Sequence, residues 1–220
     1  MISRPQKPWL AGDCAALCVG LPLLVASGWL PVLVIPLLLV TTLGCGWTLQ
    51  RCHHIRLRDL LRPRVPAAEW RRILGQYLLA FPGLVGLLWL AKPDLLFSLP
   101  RQHPKLWLVV MLAYPLLSVL PQELIYRAYF FERYAPLFGR GTGRVLASAL
   151  VFALGHLVFH NWPAVGLTLV GGWLFARTYQ RTGSLLLVAA EHALYGCAVF
   201  TIGYGQYFLD GTLRLIQAAG

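Results

Sequence analysis

The chain is expected to fold as an all-α polytopic membrane bundle of about seven transmembrane helices. Three observations predict this. Of its 220 residues, 58% are hydrophobic and only 12% are charged, with a mean hydropathy of +0.64. A soluble domain is nearer a quarter charged. Several apolar stretches approach the ~20 residues needed to cross a ~30 Å hydrocarbon core as a helix. They are continuous rather than alternating, which points to helices that satisfy their own backbone and not to a barrel.

The segments run 9–29, 31–47, 73–91, 106–137, 145–160, 163–179 and 184–202. The first follows basic Arg4 and Lys7, as a signal peptide would. However, Asp13 interrupts it and a second apolar segment follows at once, so a retained span is expected. The break at Trp29-Leu30-Pro31 is tight. An Arg-rich loop, 51–72, carries Pro63 and Pro66. The loop 92–105 contains Pro93, Pro100 and Pro104, 138–144 is Gly-rich, and 180–183 reads QRTG before the last span. Small residues Gly171, Gly172 and Ala176 suit close helix packing. The tail from 203 to 220 is mixed and reads as an interfacial or short re-entrant segment.

The formal charge is +11. Its arginines sit in loops between apolar segments, which fits topology and anionic headgroups rather than nucleic acid. Membrane lipids and a protein or peptide substrate are the expected partners. The positive-inside rule puts the N-terminus inside and the C-terminus out, in the cell (inner) membrane. Five cysteines without a CxxC pair read as small buried hydrophobes.

Polar residues inside the apolar segments are the strongest functional signal. An ionisable side chain at mid-bilayer costs on the order of 2.5–3.5 kcal/mol by insertion scales and usually marks a site. Glu123 and Arg127 are spaced i,i+4 and should pair on one face. By helical rise, Glu123, His156 and His192 all lie ~12–20 Å from the inner ends of their helices, in one layer. His156 and His160 are also i,i+4 and would share a face, although His160-Asn161-Trp162 also suits an outer interface. Glu191 and His192 are neighbours and point about 100° apart. The same argument separates Gln122 from Glu123, with Glu123 expected to face the site because it pairs with Arg127.

Three short motifs fall in order on separate spans: Gln122-Glu123-Leu124-Ile125-Tyr126-Arg127, then Phe152-Ala153-Leu154-Gly155-His156, then His192-Ala193-Leu194-Tyr195-Gly196. They resemble EExxxR, FxxxH and HxxxN/D of the CPBP (CAAX-processing and bacteriocin-processing, or ABI) intramembrane proteases. Each motif is weak alone; the order of three within spans is more specific. The resemblance implies N-terminal spans over 1–105, a protease core over 106–205 and a tail over 206–220. It also implies that Glu123, His156, His192 and Arg127 are catalytic. Gln122 stands where the family has the Glu assigned to water activation. Gly196 stands where the family has an Asn or Asp assigned, with a His, to the oxyanion. Gln122, Glu191 and His160 are supporting candidates.

The leading expectation is an intramembrane endopeptidase. Glu123 would act as the base or position one, Arg127 would orient Glu123, and His156 and His192 would hold water and polarise the carbonyl. A zinc version has Glu123, His156 and His192 as ligands and water as the fourth, with Glu191 as base. The motifs leave metal dependence open. The alternatives are a non-catalytic relative that binds a hydrophobic peptide or serves immunity or assembly, and a proton pathway through the same groups.

Overall fold

A computed structural model describes residues 7–30, 33–61 and 65–208. Among these residues the chain is helical and contains no strand. All seven expected segments form long helices: α1 (Lys7–Ala26), α2 (Val34–Cys52), α3 (Ala67–Ala91), α4 (Pro104–Arg133), α5 (Thr142–Phe159), α6 (Trp162–Thr182) and α7 (Leu185–Ile202). Five of them, α1, α3, α4, α5 and α7, are long and apolar enough to cross a membrane. The protein is thus a helical membrane bundle. Expectations for Arg4, Arg62, Arg64 and the tail beyond 208 lie outside the described residues.

Local chemistry explains the boundaries. Gly28 turns the chain after α1 with φ 77°. Asn161 caps α6, its side chain accepting from the Ala164 amide at 2.9 Å. Gly183 ends that helix in the left-handed region, φ 59°, and Ser184 caps α7 by accepting from the Leu187 amide at 3.2 Å. At 172 the helices pack closely: a Cβ there would stand 3.2 Å from the Ala149 Cα of α5, so a larger residue would push the neighbour back by a few tenths of an ångström. Gly172 and Ala176 are buried, as the packing reading requires.

The long α4 departs from a regular helix. Pro115 and Pro121 bring no amide hydrogen, and the chain widens into π-helical turns at Pro115–Val119 and Leu124–Tyr129. There the Leu120 amide reaches the Pro115 carbonyl and the Phe130 amide reaches the Ile125 carbonyl, each five residues back. The helix stops at Arg133 rather than running on through 137; Tyr134 turns the chain and Ala135–Phe138 makes a separate turn of helix.

Loops sort to opposite ends of the bundle. At one end Arg181 meets Glu69, Gln180 donates to the Arg140 carbonyl, and Ser184 donates to the Leu61 carbonyl. At the other end the Phe97 amide donates to the Ile202 carbonyl and Asn161 donates to the Tyr207 carbonyl. This is the alternation that successive crossings demand. Helix α1 is tied to the foot of α4 by Asp13, which pairs with Arg133 at 2.8 Å and accepts from the Tyr134 hydroxyl at 3.1 Å.

Candidate active site

Helices α4, α5 and α7 bring their polar residues together beneath an apolar cavity of about 1440 Å³. Leucine, valine and phenylalanine make up about half its wall, which includes the exposed Leu33, Leu87 and Val170. Gln122, His156 and His192 line it, together with Tyr114, Ser118 and Tyr126.

Glu123 lies behind that wall. Its side chain is 0% exposed and sits between two partners: Oε1 is 2.7 Å from His192 Nδ1 and Oε2 is 3.2 Å from Arg127 Nε. The guanidinium is equally buried. Arg127 Nη1 donates to Ser148 Oγ at 3.0 Å, and Ser148 in turn donates to the Tyr126 carbonyl at 2.8 Å. The charge also lies 4.8 Å from the Phe152 ring centroid. The predicted i,i+4 pair therefore forms, across a π-helical turn.

The expectation that Glu123 would face the cavity is corrected: Gln122 faces it. Its Nε2 donates to Ser118 Oγ at 2.6 Å, and its Oε1 accepts no hydrogen bond from the protein. Adjacent residues on a helix diverge by about 100°, and the pull of Arg127 and Ser148 takes Glu123 to the sealed side.

The two histidines present the same nitrogen. Glu123, as the partner of a guanidinium, accepts, so His192 carries its proton on Nδ1 and leaves Nε2 as a lone pair. Nε2 lies 3.1 Å from the Tyr114 hydroxyl, and Phe175 stacks on the imidazole at 4.5 Å. His156 Nδ1 is 2.7 Å from the Phe152 carbonyl, which can only accept, so its Nε2 is also a bare acceptor. A neutral His156 therefore offers an acceptor and no donor at Nε2, which does not suit it to polarise a carbonyl. The Phe152 ring lies between the two, 4.6 Å from His156 and 5.5 Å from His192.

His160 does not share a face with His156. The α-helical part of α5 ends at Gly155, His156–Phe159 is a 3-10 turn, and His160 adopts φ 53°. That tighter turn breaks the i,i+4 relation, and His160 is exposed. Glu191 is 1% exposed but does not line the cavity. It lies on the Thr178 and Arg72 side of α7, with no hydrogen bond of good geometry to either carboxylate oxygen. From there it is not placed to serve as a base on a water in the cavity.

Zinc requires three protein donors that converge on one point. Glu123 Oε1 is held by His192 Nδ1, Oε2 faces Arg127 without a hydrogen bond, and among the described residues no three His, Cys, Asp or Glu side chains come together to hold a metal ion. The side chains as placed do not fit the Glu123/His156/His192 ligand set. What they form is a carboxylate–imidazole pair whose outer nitrogen opens on an apolar cavity.

Residues 104–198 match the family described as type II CAAX prenyl endopeptidase Rce1-like. The match covers 95 of the 220 residues, so it is a likeness of this stretch to that family. The match begins with α4 and includes the Glu123, His156 and His192 motifs, which bears out the CPBP resemblance. It leaves α1, α2 and α3 outside. No curated protein and no solved structure matches the chain. The Rce1-like core supports the CAAX-type intramembrane protease class.

Sequence reasoning missed Tyr114, Ser118 and Ser148. Tyr114, Ser118, Gln122 and Tyr126 recur every four residues, which was the available signal for one face of α4. Ser148 stands eight residues before His156, on the same helix, and its hydroxyl looked like ordinary packing.

Proposed function

We propose that this protein is an intramembrane endopeptidase of the inner cell membrane that hydrolyses a peptide bond in a membrane-associated protein or peptide. The observation that carries this reading is the buried Glu123–His192 contact of 2.7 Å, with His192 also lining the cavity. Peptide hydrolysis needs a base for water and a donor to the leaving amine. His192 Nε2 takes the proton from water as the water oxygen attacks the carbonyl carbon. The same nitrogen then returns that proton to the amide nitrogen as the C–N bond breaks. Glu123 is a positioning residue: it fixes the Nδ1–H tautomer and stabilises the imidazolium that forms. Arg127 and Ser148 hold Glu123. His156 Nε2 accepts a hydrogen bond from the second O–H of the attacking water. The apolar cavity suits a hydrophobic or lipid-bearing segment.

Gln122 motivates a second reading, a non-catalytic peptide binder, because a carboxamide in the cavity wall cannot take a proton. The two readings are separated by incubating the purified full chain in detergent with a quenched farnesylated CaaX peptide and with its unprenylated counterpart. The protease reading expects cleavage that His192→Ala lowers by about 10⁴–10⁶-fold in kcat. Peptide binding without cleavage favours the second reading.

A further inference from the structure

Gly196 is the residue at which this chain lacks the side chain that the HxxxN/D motif places one turn after His192. The space is not empty. A Cβ at 196 would stand 2.4 Å from both the hydroxyl oxygen and Cε1 of Tyr114, and 2.7 Å from Cζ. Contacts under about 3 Å between a Cβ and a ring are not tolerated, so Tyr114 holds its position only because residue 196 is glycine. The ring is fixed edge-on against His192 at 6.1 Å and Phe200 at 5.2 Å. Tyr114 lines the cavity, and its hydroxyl reaches His192 Nε2 at 3.1 Å.

The tautomer assigns the direction of that bond. His192 Nε2 is a lone pair, so the phenol donates. Tyr114 thus brings an O–H donor to the nitrogen where water must be activated, and it brings it from α4 instead of α7.

We propose that Tyr114 is the oxyanion donor of this site and that Gly196 is the clearance that seats it. The inference rests on the endopeptidase reading. When water replaces the phenol on Nε2, the Tyr114 O–H is free to donate to the scissile carbonyl oxygen. His192 Nε2 removes a proton from water, the water oxygen bonds to the carbonyl carbon, and the carbonyl π pair moves onto oxygen. That oxyanion accepts the Tyr114 hydrogen bond while the phenol keeps its proton. Collapse of the intermediate breaks the C–N bond, and the proton on Nε2 goes to the departing amine. One water is consumed, and one carboxyl and one amine are released. Removing one oxyanion donor typically lowers kcat by about 10²–10³-fold.

Three variants of the full chain test this with the quenched farnesylated CaaX peptide. Tyr114→Phe keeps the ring and removes only the hydroxyl. It is expected to lose about 10²-fold in kcat with KM unchanged. Gly196→Asn alone is expected to lose activity by displacing the ring. The double variant Tyr114→Ala with Gly196→Asn frees the volume and returns a donor, and is expected to be more active than either Tyr114→Ala or Gly196→Asn. Wild-type kcat in Tyr114→Phe overturns the proposal while the endopeptidase reading stands. Absence of rescue in a folded double variant overturns the shared-space argument. No cleavage by the wild-type chain overturns the endopeptidase reading itself, and this inference with it.

Discussion

The two sides of α4 at residues 122 and 123 are chemically opposite. Toward the cavity the helix presents Tyr114, Ser118, Gln122 and Tyr126, all neutral. Away from it stand Glu123 and Arg127, fully buried and paired with each other. An ionised carboxylate on the cavity side would face an apolar wall and the lipid beyond it. Behind the wall it is neutralised by a guanidinium 3.2 Å away, and it reaches the cavity through His192. The difference teaches that charge here reaches the cavity only through an imidazole, while hydrogen-bonding groups without charge line its wall.

The sharpest way to break that comparison is Glu123→Gln. The new amide oxygen still accepts from His192 Nδ1–H, but a neutral group does not stabilise an imidazolium. Activity on the quenched CaaX peptide should fall by about 10²–10⁴-fold in kcat. Full activity would show that the rear carboxylate plays no part in turnover.

Arg127→Ala attacks the same side through stability. It leaves Glu123 buried with no cation, and breaking such a pair costs about 3–5 kcal/mol. Chemical or thermal denaturation in detergent should register the loss; a Tm equal to wild type would mean that the carboxylate is held by His192 alone.

Gln122→Glu changes the front. It places a carboxylate in the cavity wall beside Ser118, where a second base can meet water. An increase of about 10-fold in kcat/KM is expected. No change would mean that His192 supplies all the basicity the reaction uses.

The smallest effect belongs to a pair outside both regions. Glu69 meets Arg72 and Arg181, each at 3.2 Å, with side chains 22–32% exposed. Partly solvated pairs of this kind contribute less than about 1 kcal/mol. Glu69→Ala should therefore shift the denaturation midpoint far less than Arg127→Ala does, and equal shifts would contradict the ranking by depth.

Much of this arrangement was legible beforehand. The Glu123–Arg127 pair follows from i,i+4 spacing, and the common depth of Glu123 and His192 follows from helical rise. The stops at Gly183 and Ser184 follow from turn and cap chemistry. The errors occurred where the helix is not ideal or where a neighbour decides. His160 left the expected face because the α-helix gives way to a 3-10 turn at His156. Tyr114 went unnoticed because its role depends on the missing side chain at Gly196, 82 positions away.

Composition and hydropathy determined the membrane bundle by themselves, because a lipid solvent forces every long apolar segment into a helix. The three ordered motifs pointed to the family that residues 104–198 resemble. Only the tertiary structure decided which of Gln122 and Glu123 meets the cavity, which histidine nitrogen is free, and what fills the space at Gly196. Those choices depend on contacts between helices, and the spacing of residues along one helix carries no record of its neighbours.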